Sequence, residues 1–76
     1  MIITNHAQQR WDERFGHRVD NDILQEFNRA RKVKHNYVRS LNVKTVAGRN
    51  YYVTPLCVFV VHSGSHSIVT VLPRRD

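Results

Sequence analysis

Apolar and polar positions repeat along this chain with two different periods, and the change falls near residue 35. In NHAQQRWDERF, Ala7, Trp11 and Phe15 recur every four residues, the spacing of one helix face. That spacing predicts a first helix from about Asn5, placed to cap it, to Phe15, with Gly16 as the C-terminal stop. A second helix is predicted to follow the Asp20-Asn21-Asp22 cluster, whose acids suit the positive end of the helix dipole. Ile23, Leu24, Phe27 and Ala30 form its apolar face. Its predicted end is ARKVK, where Arg29, Arg31, Lys32 and Lys34 complement the negative pole.

Beyond His35 the chain is rich in Val, Tyr, Thr and Ile with turn residues between, which predicts strands near 36–40, 42–47, 50–54, 57–62 and 66–72. Gly48 and Asn50 flank one turn, Ser63-Gly64-Ser65 makes another, and Pro55 separates the third strand from the fourth. The expectation is a single α+β domain over residues 1–76. Two N-terminal helices pack on one face of a four- to five-stranded antiparallel sheet, and the other face or its rim stays open for a ligand. Alternation in the last strand puts His66, Ile68, Thr70 and Leu72 on one face, and Ser67, Val69 and Val71 on the other.

Charge changes the picture more than size does. Twelve Lys/Arg against six Asp/Glu give a formal +6, and five of the six acids lie between residues 12 and 26. From Phe27 to Arg75 there is no acid and there are nine Lys/Arg. Such a field favours a polyanionic partner, nucleic acid first, with an acidic protein surface as the rival. Cys57 is the only cysteine and sits in the apolar run LCVFVV, so a disulfide framework is excluded and a buried, inert thiol is expected. No apolar run is long enough to span a membrane and the N-terminus turns polar within a few residues, so a cytoplasmic protein without a membrane partner is expected.

The string His6-Ala7-x-x-Arg10-x-x-Glu13-Arg14 resembles the helix of small toxin-like domains in the barnase–EndoU–colicin–RelE-like group of metal-independent ribonucleases. The run CVFVVHSGSHSIVTVLP resembles the group's closing hairpin, a hydrophobic strand, a short turn and I-x-T-V. Phe15 stands where the family commonly has a glycine directly after the Glu-Arg pair, and residues 30–50 match no motif of it. The resemblance implies an endoribonuclease that drives the 2′-hydroxyl onto the phosphate and leaves a 2′,3′-cyclic phosphate. His6 would be general acid or base, Arg10 and Arg14 would hold the phosphate, and Thr70, at the family's strand threonine, would orient it. It also implies RNA as substrate, an antitoxin or immunity protein as partner, and no cofactor.

The residue types support that chemistry independently. Metal-free RNA cleavage needs an acid, a base and cations around a crowded phosphorane. Histidine titrates near neutrality, and arginine holds phosphate without giving up its proton. His66, Arg74, Lys32, Lys34, Arg49 and Tyr52 are candidate contacts to nucleic acid, Tyr52 by stacking and Arg74 by reaching the same phosphate. Plainer readings stand beside these. The helical row is also what a solvated helix edge looks like, Arg14 is also placed to pair with an acid of the second helix, and Glu13 to brace an arginine or His17. Trp11 and Phe15 read as core, and of Tyr51 and Tyr52 one packs inward. His62 and His66 flank the SGS turn either as an acid/base pair or as exposed loop residues; as a zinc pair they lack further ligands. The same scaffold without turnover is a nucleic-acid-binding or inhibitory accessory protein of a phage or mobile element.

Overall fold

A computed structural model describes residues 1–74. In chain order the elements are β1 (Ile2–Ile3), α1 (Asn5–Arg14), α2 (Ile23–Asn28), β2 (Arg31–Val33), α3 (His35–Ser40), β3 (Arg49–Val53), β4 (Cys57–His62) and β5 (Ser67–Pro73). The five strands form one sheet in the order β1-β5-β4-β3-β2. The class is α+β, as the patterning predicts. The sheet is mixed rather than antiparallel throughout, because the two-residue β1 runs parallel to β5.

The first helix starts one residue earlier than Asn5 suggests, because Thr4 is the cap. Its hydroxyl accepts from the Ala7 amide at 3.1 Å and donates to the Ile68 carbonyl at 2.8 Å. One side chain therefore closes the first turn of α1 and fastens it to β5. Ala7, Trp11 and Phe15 are buried as the four-residue spacing requires. At the other end the amides of Phe15 and Gly16 both donate to the Trp11 carbonyl. A side chain at Gly16 would put its Cβ 2.8 Å from the Asp12 carbonyl oxygen, so the close approach needs glycine.

α2 opens on a capping box, in which Asp22 accepts from the Gln25 amide and the Gln25 side chain accepts from the Asp22 amide. It stops at Asn28, so ARKVK is not helical. Arg31–Val33 instead pairs with β3, Arg31 opposite Val53 and Val33 opposite Tyr51. The extended conformation gives the edge amides partners in the sheet and lets Val33 pack against the buried Tyr51 side of it.

Two further expectations are overturned between residues 36 and 47. Residues 36–40 lie within α3, and 42–47 form a loop rather than a strand. Val38 and Leu41, three positions apart, enter a cluster with Tyr51, Val53, Val58 and Val60. The loop is held by Arg39 Nε on Thr45 Oγ1 at 3.0 Å and by the Val46 amide on the Tyr51 hydroxyl at 2.9 Å. The second sheet face is therefore covered. The first face carries α1 and α2 over Cys57, Phe59, Val61, Ile68 and Val71, which bears out the two N-terminal helices on one side.

Strict alternation also fails in β5. Val60 pairs with Thr70 but Val61 pairs with Ile68, so Val69 is an extra residue in a bulge. Both Ile68 and Val71 consequently reach the α1 cluster, which a period of two does not allow. Thr70 and Leu72 fall on the α3 side, opposite Val60 and Val58.

Candidate nucleic-acid interface

The α1 row is only half assembled. His6 is exposed, and Arg10 is engaged by Glu13 at 2.9 Å, so Glu13 does brace an arginine. Arg14 pairs with no acid of α2. Its Nη1 donates to the Val71 carbonyl at 2.8 Å. Thr70 shares its sheet face with Val60 and the α3 cluster, whereas α1 lies over the opposite face. Among the described residues, neither His6 nor Thr70 makes a side-chain hydrogen bond. The structure thus seats the motif helix on the motif strand, but it puts the threonine on the far face from the Trp11 stripe.

A different set of residues does converge. A cleft of about 750 Å³ opens between β2, α3, the β3–β4 turn and the end of β5. Arg29, Arg31, Lys32, Lys34 and Arg74 line it together with Tyr37, and among the described residues no acid does, although Arg29 pairs behind it with the buried Glu26 at 3.6 Å. Arg31, Lys32 and Lys34 are exposed. Because β2 is an edge strand, side chains from both faces of the sheet reach the rim.

The turn opposite them is closed by hydrogen bonds. The buried Thr54 hydroxyl accepts from the amides of Leu56 and Cys57 at 3.1 and 3.2 Å, and the Thr54 amide donates to the Cys57 carbonyl. The Thr54 carbonyl is thereby aimed at Arg74 Nη1, which donates to it at 3.1 Å. Arg74 Nη2 donates to the Tyr37 hydroxyl at 2.8 Å. A guanidinium arriving from the end of the chain is so fixed beside an aromatic ring of α3, while the arginines and lysines of 29–34 stand on the other wall.

Of the residues expected to touch nucleic acid, Lys32, Lys34 and Arg74 come together here. Arg49 and His66 do not. Arg49 starts β3 opposite His62, and His66 precedes β5, so both lie at the end of the sheet away from Val53 and the cleft. Tyr52 is half-buried on the α1/α2 face, its ring 5.0 Å from that of Phe27. Tyr51 is the inward tyrosine of the pair. His62 accepts at Nδ1 from the Ser65 amide, which closes the SGS turn, and His66 adopts φ +51°. For Arg29, Arg31 and Tyr37 the sequence carries no signal of a site. The two arginines read as dipole partners of a helix that ends earlier, and Tyr37 fell in a predicted strand.

Cys57 is wholly buried, and burial pushes its thiol up to about 12, so it is no nucleophile. Among the described residues no group of three or more His, Cys, Asp or Glu is placed to hold a metal ion. No helix among them is long and apolar enough to cross a membrane. No protein-family model matches the chain, and neither a curated protein nor a solved structure matches it significantly.

Proposed function

We propose that this protein binds nucleic acid, RNA foremost, by gripping its phosphates in the basic cleft. One observation carries the reading. Cations from separate stretches of chain, 29–34 and Arg74, converge on one concavity that, among the described residues, no acid lines. Guanidinium forks take two phosphate oxygens at once, and the lysines add mobile point charges. Contacts of this kind recognise the backbone and leave the bases unread. Binding of RNA followed by fluorescence anisotropy over a salt series tests it. The exposed cleft cations Arg31, Lys32 and Lys34 engaged on a single strand give a log–log slope of roughly −2. Absence of binding near physiological salt, or a preference for an acidic polypeptide, refutes it.

A second reading, cleavage of that RNA by a ribonuclease of the resembled group, is favoured by one contact set. Thr4 and Arg14 hold α1 along β5 at Ile68 and Val71, so the two halves of the sequence motif are neighbours. In this reading the exposed His6 exchanges the proton and Arg10 leaves Glu13 for the phosphate. Such an enzyme arrests the cell that makes it unless an antitoxin or immunity protein is co-expressed. Incubation with RNA in EDTA, with His6→Ala and Arg10→Ala beside the native protein, decides between binding and cutting.

A further inference from the structure

We infer that the cleft selects single-stranded nucleic acid, with one base stacked on the ring of Tyr37 and the flanking phosphates held by Arg31, Lys34 and Arg74. This rests on the proposed binding of nucleic acid in the cleft and adds the form of the ligand.

Tyr37 is the aromatic side chain on the cleft wall and is 41% exposed. The other aromatics are committed to packing. Trp11, Phe15, Phe27, Tyr52 and Phe59 stack or tilt against one another on the α1/α2 face, and the buried Tyr51 meets His35 edge-on. Among the described residues only Tyr37 combines a part-exposed Phe, Tyr or Trp ring with surrounding cations.

The position of Arg74 leaves that ring usable. Its guanidinium carbon lies 6.0 Å from the ring centroid while Nη2 donates to the hydroxyl at 2.8 Å. A guanidinium lying flat over the ring would sit closer to the centroid and out of reach of such a bond. Arg74 is therefore stationed at the hydroxyl edge rather than flat on the ring, and the part of the ring that is exposed can take another planar group. An unstacked base is planar, apolar on its faces and joined to phosphates on both sides, which fits a ring flanked by cations.

The shape argues against a duplex. A helix entering the major groove must project from the surface, and here the longest helix has ten residues and lies along β5. The charges instead line a concavity of about 750 Å³, suited to a strand of one or two nucleotides' width rather than to the side of a double helix. Bases inside a duplex are stacked on each other and cannot reach Tyr37.

Anisotropy titrations test this with labelled oligo(U) and oligo(dT) of about 12 nucleotides, within the site size of single-strand binders, and with an RNA duplex of equal length. The expected result is at least tenfold tighter binding of the single strands. Tyr37→Phe keeps the ring, releases Arg74 Nη2 from the hydroxyl and loses no more than about threefold on single strands, whereas Tyr37→Ala and Tyr37→Leu lose about tenfold on single strands and little on the duplex. Circular dichroism checks that both variants fold. Binding of oligo(U) over oligo(dT) adds a preference for the ribose hydroxyl and leaves the inference standing. Equal or tighter binding of the duplex, or full single-strand affinity in Tyr37→Leu, overturns the inference while the cleft remains a nucleic-acid site. Binding of none of the three probes overturns the underlying reading as well.

Discussion

Arg14 donates from Nη1 to the carbonyl oxygen of Val71, 2.8 Å away and 57 residues along the chain. β1 pairs β5 only at Ser67 and Ile68, so beyond those residues the outer edge of β5 has no strand beside it. Arg14 covers that edge from the helix above. A charged donor on a backbone carbonyl contributes about 1.5–3 kcal/mol in partly buried settings. We expect Arg14→Met, which keeps the stem and removes the donors, to lower unfolding stability by about 1–2 kcal/mol in urea and to leave RNA affinity unchanged. Lost affinity at unchanged stability would instead put Arg14 on the phosphate.

Thr4 gives a second test of the same junction. Thr4→Val removes both the cap on Ala7 and the bond to Ile68, and is expected to cost about 1–2 kcal/mol. Thr4→Ser retains both and should stay close to native. Equal losses in the two variants would mean that the methyl, not the hydroxyl, matters.

The buried Cys57 makes stability depend on alkaline pH. Its thiol ionises near 9.0 in the unfolded chain and is pushed up to about 12 in the fold by burial, with Glu26 adding to the rise. A raised pKa on an acid means that the folded state keeps a proton the unfolded state releases. The contribution is complete below pH 9 and is lost as pH climbs towards 12. Urea midpoints measured from pH 8 to 10.5 should fall less steeply in Cys57→Ser or Cys57→Ala than in the native protein. Native Cys57 should also resist thiol reagents at pH 8 until the chain is unfolded.

Val38 carries the packing of α3. It is wholly buried, and with no side chain capping the helix at Lys34, burial is what holds α3 in place. Val38→Ala removes two methyl groups from the cluster around Tyr51 and should cost about 2 kcal/mol. It should also loosen Tyr37 and weaken oligo(U) binding. A loss much below 1 kcal/mol would show that α3 is not anchored there.

How far the sequence reveals this fold depends on which contacts are local. β4 is legible to the residue, because CVFVVH is an uninterrupted apolar run bounded by Pro55 and the SGS turn. α1 is legible because Ala7, Trp11 and Phe15 keep helical spacing over three turns. α3 is not. HNYVRS is rich in strand formers, and its helical state is decided by Val38 and Leu41 meeting Tyr51 and Val60, which local propensity does not report. The two residues of β1 are too few to show a period at all. The cleft was hidden for the same reason. The basic run 29–34 is visible as charge, but its facing wall is Arg74, carried there by the β5 pairing, and its aromatic member stands on α3, whose residues carry strand propensity.

The most direct test of the central claim is the affinity of Arg31→Glu/Lys34→Glu for oligo(U) across a salt series. Both side chains are exposed, and Lys34 makes no capping bond, so the double variant should keep native circular dichroism and stability. The account predicts at least a tenfold loss of affinity at physiological salt and a salt slope shallower by more than one, since two phosphate contacts are removed. Native affinity and an unchanged slope in a folded double variant would contradict it.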